Sequence, residues 1–163
     1  MTEQLKNIEA LYNEAISLIE NSSDAQTLSA AVRTLRSIVD TEAEEGTTGE
    51  EILPWQGLAA YAIAEVYREG LDAVLRPDPL RAHYYIIMAW SRGINCCADL
   101  ADLYYRLEDY YHAAMYYKAV VDCDENENNV ALARERLAAL AAKGIEPEAE
   151  ITHELIEFED NEE

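Results

Sequence analysis

Apolar residues recur at every third or fourth position along most of the chain, and polar residues fill the positions between them. This spacing matches the turn of an α-helix and predicts helices that each bury one face. The segment Asn21 to Asp24 separates the first two such patterns and offers a helix stop followed by an N-cap. The first two apolar stripes are Leu5, Ile8, Tyr12, Ala15, Ile16 and Ile19, and then Leu28, Ala31, Val32, Leu35, Ile38 and Val39.

Proline and glycine mark the ends of the next two helices. Pro54 is typical of a first helical turn, so a third helix is predicted from there to a C-terminal cap at Gly70. Asp78 followed by Pro79 predicts the N-cap and first turn of a fourth helix, which ends at Gly93. Further helices are expected over about 95–107, 109–123 and 130–142, the last capped by Asn128 or Asn129. The sequence thus predicts an all-α protein of about seven helices.

Negative charge is concentrated in two segments. The 163 residues include 33 Asp and Glu against 12 Lys and Arg, a formal net charge of −21. Six of the acids lie in residues 40–51, and the turn-rich part of that segment, residues 41–51, predicts a surface loop. Nine more lie in residues 145–163, and neither segment contains Lys or Arg. We expect residues 1–144 to form one helical domain and residues 145–163 an acidic C-terminal tail, in which Ile151, Leu155, Ile156 and Phe158 are apolar anchors.

This charge distribution excludes several classes of partner. Binding to nucleic acid phosphates needs a basic face, and anionic lipid attracts basic segments, so neither a nucleic acid nor a membrane is expected as a partner. No stretch has 18 consecutive apolar residues, and the start of the chain lacks the pattern of a secretory signal. We therefore expect a cytoplasmic protein.

The three cysteines fit that compartment. An odd number in a chain that is not exported predicts free thiols, mostly buried, at Cys96, Cys97 and Cys123. A bond from Cys123 to Cys96 or Cys97 is the alternative if their helices adjoin. The chain has no Cys-x-x-Cys spacing, and its three histidines are scattered, so no zinc or other cofactor is expected.

Two segments align as copies of one helix-turn-helix pattern. Residues 63–67 read IAEVY and residues 100–104 read LADLY, each with a small residue second and a tyrosine last. The small residue lets two antiparallel helices approach closely, and the tyrosine fills the space one turn further along. The second helix of each copy repeats the small and aromatic pattern, with Ala82 and Tyr85 in one copy and Ala113 and Tyr116 in the other.

This pattern resembles tetratricopeptide repeats, and the first copy resembles their bacterial relatives, the Sel-one-like repeats. The matching features of the first copy are Tyr67 with Gly70, the run DPLRA at 78–82, the pair Tyr84-Tyr85, and Gly93. The second copy, with Glu108-Asp109-Tyr110 at its turn, is similar to a plain tetratricopeptide repeat. The resemblance covers roughly residues 57–125 and implies an antiparallel helix-hairpin solenoid, with the flanking helices as caps.

The resemblance also implies a peptide groove on the concave face, lined by the first helix of each hairpin. Most tyrosines fall at core positions of the repeat, so Tyr67, Tyr85, Tyr104 and Tyr117 are expected to be buried. The residues that point away from that core, and are predicted to bind a partner, are Tyr61, Glu65, Arg68, Ala98, Asp102, Tyr105 and Arg106.

The motifs of common enzymes are absent from the sequence. It has no phosphate-binding glycine loop, no Gly-x-Ser-x-Gly elbow and no His-Glu-x-x-His pair, so no catalytic residues are expected. Asp122, Asp124, Asn126 and Asn128 alternate as in a calcium loop, but Glu127 stands at the turn position that needs glycine. A polar turn between helices is therefore favoured there.

The sequence is compatible with two non-enzymatic functions. The first is a protein–protein adaptor whose groove holds a partner segment, for which Glu65 and Asp102 favour a basic sequence. The alternative is an acidic inhibitor or immunity-type protein that covers a basic partner, such as a toxin, nuclease or DNA-binding protein, with its acidic loop and tail. The open ends of a solenoid also leave homodimerisation as an alternative.

Overall fold

The computed structural model describes residues 1–71 and 75–147, and the regular structure in these ranges is helical. An isolated bridge joins Leu71 and Leu75 in the connection between two helices. No helix in the described part of the chain is long and apolar enough to cross a membrane. The helices are α1 (Glu3–Asn21), α2 (Ala25–Val39), α3 (Gly49–Glu69), α4 (Pro79–Ser91), α5 (Cys97–Arg106), α6 (Tyr110–Cys123) and α7 (Glu127–Ala142).

The described residues form two compact units, one with α1–α4 in residues 1–94 and one with α5–α7 in residues 95–147. In the first unit α1 packs on α2 and α3, α2 packs on α3, and α3 pairs with α4. In the second unit α6 lies between α5 and α7. The acidic tail predicted for 145–163 lies outside the described residues from 148 onward, and its four apolar anchors lie there with it.

Two helix starts differ from the prediction. The expectation that Pro54 lies in the first turn is wrong, because α3 begins at Gly49 behind a capping box of Thr48 and Glu51, and Pro54 lies one turn inside the helix. The Thr48 side chain accepts from the Glu51 backbone N–H, and Glu51 Oε2 accepts from the Thr48 N–H at 2.8 Å. The predicted start and cap of α7 are also wrong, because Asn126 caps a helix that begins at Glu127.

The connection between α3 and α4 is held by contacts among Tyr67, the N-cap Asp78 and Arg81. The Asp78 N–H donates to the Tyr67 carbonyl at 2.7 Å, and the Asp78 side chain caps α4. Arg81 pairs with Asp78 at 2.8 Å and lies 5.8 Å from the centre of the Tyr67 ring, which stacks on Tyr85 at 6.0 Å. One aspartate therefore terminates the turn and positions a cation on the buried tyrosine.

The α5–α6 turn contains the same kinds of contact. The Asp109 N–H donates to the Tyr104 carbonyl at 2.9 Å, and the Asp109 side chain caps α6. His112 lies 2.7 Å from the Asp109 carboxylate and stacks on the Tyr104 ring at 5.0 Å. Tyr104 stacks on Tyr116 at 5.5 Å, with an interplanar angle of 8°. Both hairpins thus have stacked tyrosines behind a capping aspartate.

The buried positions follow the predicted apolar pattern in most places. The four tyrosines expected in the core are all buried, and Tyr67 is only 1% exposed. In α1, however, Tyr12, Ile16 and Ile19 are half-buried, because this helix covers one side of the first unit. The expectation of mostly buried thiols is wrong for Cys123, which is exposed at the end of α6, while Cys96 is buried and Cys97 half-buried. All three thiols are free.

Candidate partner-binding surface

Two tyrosines and two cations form a row along one side of the second unit. Ala133 and Leu140 are the buried residues of α7, and their seven-residue spacing fixes the face that packs on α6. Arg136 and Lys143 follow them by three positions each, so both cations lie along the edge of that face. The ring of Tyr105, near the end of α5, lies against Arg136, and the ring of Tyr110, at the start of α6, lies against Lys143.

The distances within this set indicate cation–π contacts. The Arg136 guanidinium carbon lies 4.3 Å from the centre of the Tyr105 ring, and Lys143 Nζ lies 5.6 Å from the centre of the Tyr110 ring. The two rings meet edge to face, with centres 5.3 Å apart. Arg136, Tyr105, Tyr110 and Lys143 thus form one continuous surface, which we call the aromatic–cation row.

The row is half open to solvent. Tyr105, Tyr110 and Arg136 are half-buried, and Lys143 is exposed. Arg136 Nε is buried and makes no hydrogen bond within the described residues. The rest of that guanidinium and the Lys143 ammonium are therefore held on aromatic rings, where an anion can approach them.

A hydrogen bond behind the row holds it in place. The Tyr117 hydroxyl donates to Asp102 Oδ1 at 2.7 Å, and the Tyr117 ring meets the Tyr105 ring edge to face. Burial raises the pKa of Tyr117, the bond to Asp102 raises it further, and Arg136 lowers it by a smaller amount. The neutral hydroxyl therefore remains the donor at neutral pH, and Asp102 Oδ1 is its acceptor.

The sequence-predicted site residues of the second unit are not all brought together. Asp102 and Tyr105 are linked through Tyr117, as described above. Arg106 is exposed at the end of α5, and Ala98 is half-buried in its first turn. Tyr110, Arg136 and Lys143 were missed, although the seven-residue spacing of the two cations on α7 was a signal in the sequence.

The predicted site residues of the first unit lie along α3. Glu65 pairs with Arg68 at 2.8 Å, and Arg68 also contacts Glu69 at 3.3 Å. The Arg68 side chain is only 16% exposed, whereas that of Glu65 is 45% exposed. Tyr61, one turn earlier, is half-buried. The carboxylate expected to attract a basic partner is thus partly neutralised by its own helix.

A small cavity lies between α2 and α4 in the first unit. Its volume is about 150 Å³, which is enough for one side chain of a partner but not for a large ligand. The Arg36 guanidinium in its wall donates to the Tyr67 hydroxyl and lies 5.9 Å from the centre of that ring. The lining residues are Arg36, Val39, Asp40, Tyr84, Tyr85 and Met88.

The acidic segment before α3 is fixed to the start of the chain. The Gln4 side chain donates to the Glu42 carbonyl at 2.7 Å and accepts from the Glu44 N–H at 2.9 Å. The hydroxyls of Thr2 and Thr47 meet at 2.7 Å. The segment therefore has a defined path, but the predicted loop over residues 41–51 is too long, because Glu50 and Glu51 already lie in the first turn of α3. The six acidic side chains of residues 40–51 are all exposed, namely those of Asp40, Glu42, Glu44, Glu45, Glu50 and Glu51.

The polar turn before α7 serves a structural purpose. Asp124 accepts from the Asn126 N–H and the Asn129 side chain, and Asn126 caps α7. These side chains thus close the turn, and no group of three His, Cys, Asp or Glu side chains suited to a metal occurs in the described ranges. Burial raises the pKa of Cys96 to about 12 and also raises that of Cys97, which keeps both thiols protonated at neutral pH.

Comparison with known proteins identifies no relative: no protein-family model, curated protein sequence or solved structure matches the chain. The geometry of the described residues is therefore the basis for a functional assignment.

Proposed function

We propose that this protein is a protein–protein adaptor of the tetratricopeptide-like and Sel-one-like kind, which binds a segment of a partner through the aromatic–cation row. The observation that carries the proposal is the row itself, in which two half-exposed tyrosines each hold a cation. Tyrosine and arginine are the residues most enriched among those that dominate binding energy at protein interfaces. Their rigid packing on α6 lowers the entropy lost when a partner binds.

The shared contacts of the two hairpins support the repeat and solenoid part of this proposal. Each pairs a capping aspartate with a basic side chain and a buried tyrosine: Asp78 pairs with Arg81, and Asp109 lies against His112. Each also has a fully buried alanine one turn before that tyrosine, Ala64 in α3 and Ala101 in α5. Hairpins that repeat the same internal contacts are the unit from which solenoids are built.

The charge of the row favours an acidic partner segment. The sequence suggested a basic segment because of Glu65 and Asp102, but Glu65 pairs with Arg68 and Asp102 accepts from Tyr117. The groups left to meet a ligand at the row are the Arg136 and Lys143 cations and the exposed parts of the two tyrosine rings beneath them. A segment that carries carboxylates and an aromatic or aliphatic side chain complements both.

The test is a binding titration with charge-neutral variants of the full chain. The probe is a short fluorescein-labelled peptide of Glu, Asp and one Phe, followed by anisotropy, beside a matched peptide with Lys in place of every acid. Loss of both cations in an Arg136→Gln, Lys143→Gln variant should weaken the acidic peptide by about tenfold, since each exposed ion pair contributes about 0.2–1 kcal/mol. The melting temperature should stay nearly unchanged.

Arg134→Gln is the matched control. Arg134 lies on the same helix and is exposed, so its loss changes the net charge of α7 without touching the row. Arg134→Gln removes one positive charge, so its comparison is a single Arg136→Gln variant, and equal weakening by these two would show that only net charge matters. A preference for the basic peptide would assign the binding site to other residues, and Tyr105→Ala with Arg106→Ala would then show whether the end of α5 takes part.

A second candidate function, the acidic inhibitor, is favoured by the fixed path of the acidic segment. Exposed carboxylates held on a defined backbone can cover a basic site without first losing much entropy. Replacing Glu42, Glu44 and Glu45 by glutamine should then reduce both the affinity for the Lys-rich peptide and its dependence on salt. An unchanged salt dependence would remove this segment from the mechanism.

A further inference from the structure

The described chain ends close to the aromatic–cation row in sequence. Pro147 is the last described residue, four positions after Lys143, which lies over the Tyr110 ring. The remaining residues, 148–163, contain eight Asp and Glu and no Lys or Arg. They also contain Ile151, Leu155, Ile156 and Phe158. This composition is the same as that of the partner segment proposed above.

The length of this segment is sufficient to reach the whole row. Lys143 is the C-cap of α7 and follows Arg136 by seven residues, which corresponds to about 10 Å along the helix. Sixteen residues can span up to roughly 50 Å when extended, so a third of that length, after a turn, exceeds the length of the row. Proline at 147 and glycine at 144 favour such a turn, because Gly144 has a φ of 80° and already ends α7.

The charges around the row are compatible with an acidic occupant. Asp102 accepts from Tyr117, and Asp109 is engaged with His112 and the start of α6. Glu108 is the exposed carboxylate nearest to Tyr110 in sequence, so repulsion is expected at that end of the row. Arg136 Nε is buried without a hydrogen bond, and a carboxylate brought to its guanidinium would supply a partner for the cation.

We infer that residues 148–163 are an internal ligand of the aromatic–cation row and compete there with the acidic segment of a partner. This inference rests on the proposed function for the identity of the site. A short tether gives a local concentration of about 1 mM, so even weak contacts keep the segment on the row against a dilute competitor. A partner segment must then displace the tail, so the tail raises the affinity that a partner needs in order to bind.

The test compares two full-length variants with the same loss of charge. In the tail variant Glu154, Glu157 and Glu159 become glutamine and Asp160 becomes asparagine. In the control variant four exposed glutamates of the first unit become glutamine, namely Glu42, Glu44, Glu45 and Glu50. The readouts are the NMR signals of the Arg136 Nε–H group and the Tyr105 ring, and the affinity for the acidic peptide.

The tail variant should shift the signals of Arg136 and Tyr105 and should bind the acidic peptide about threefold or more tightly than the unaltered chain. The control variant should do neither. Signals that stay in place in the tail variant would overturn the inference, as would a tail effect that disappears on dilution, because the tail would then bind a second copy of the chain. Shifted signals without any peptide binding would support the internal contact and reject the adaptor function. Peptide binding that depends on Arg136 and has equal affinity in the tail variant, the control variant and the unaltered chain would support the adaptor function and reject the internal contact.

Discussion

Gly57 lies in the middle of α3, and replacing it by alanine tests how closely this helix packs in the first unit. A Cβ on Gly57 would lie 2.8 Å from Ile94 Cγ1 and 3.2 Å from Arg92 Cβ. The first distance is shorter than carbon atoms tolerate, and the second is tighter than most carbon–carbon contacts. Arg92 Cβ cannot move without its backbone. Overpacking of this kind costs about 1–3 kcal/mol, whereas glycine to alanine inside a helix contributes about 1 kcal/mol of stability.

The expected net effect of Gly57→Ala is therefore a destabilisation of about 1 kcal/mol, or about 4–8 °C in melting temperature for a unit of this size. Both tryptophans, Trp55 and Trp90, lie in the first unit, so intrinsic fluorescence during urea unfolding reports on it directly. Gly49→Ala is the control, because Gly49 is in the same helix and has no neighbour within 4 Å of its added Cβ. If Gly57→Ala proves as stable as the unaltered protein or more so, the close approach of α3 to residues 92–94 is refuted.

Three further predictions concern caps and buried groups. Asp78→Ala and Asp109→Ala should each cost about 1–2 kcal/mol, because each removes an N-cap and also a side-chain partner, of Arg81 or of His112. Asparagine at either position should retain most of the cap. Urea unfolding measures the free energy of each variant, and an alanine variant with no loss of stability would contradict the cap. Burial raises the pKa of Tyr104 from 10.0 to about 12, so the phenol ionises at lower pH in the unfolded chain than in the folded one, and stability falls as pH rises from about 10 to about 12. Tyr104→Phe should reduce this loss of stability. The same loss in both proteins would contradict the raised pKa. A thiol reagent should modify the exposed Cys123 long before Cys96, which is buried and has a pKa raised to about 12, and equal rates would contradict the burial.

The existence of the helices could be predicted from the sequence because it depends on neighbours within a few residues. The apolar period of α2, with Leu28, Leu35 and Val39 among its members, became a buried stripe as predicted. Gly70 ends α3 with a φ of 78°, and Asp78 caps α4, as their positions in the sequence indicated. These are local effects of backbone conformation and side-chain hydrogen bonding.

The start of α3 was mispredicted because two local signals compete there. Pro54 favours a first turn, but Thr48 and Glu51 form a capping box that satisfies two backbone N–H groups further upstream. At α7 several asparagines could cap with similar energy, and the structure selects Asn126. Ala133 and Leu140 then lie on the side that packs against α6.

The sequence by itself determined the helical class, most helix ends, the identity of the core tyrosines and the concentration of acid in two segments. Only the tertiary structure decided which side chains form a surface, because such contacts join residues far apart in the chain. Arg136 contacts the ring of Tyr105, which is 31 positions earlier in the chain. Tyr117 donates a hydrogen bond to Asp102 Oδ1, a group that the sequence suggested for binding a partner. The charge preference of the candidate site is therefore decided by packing between helices, which no local pattern encodes.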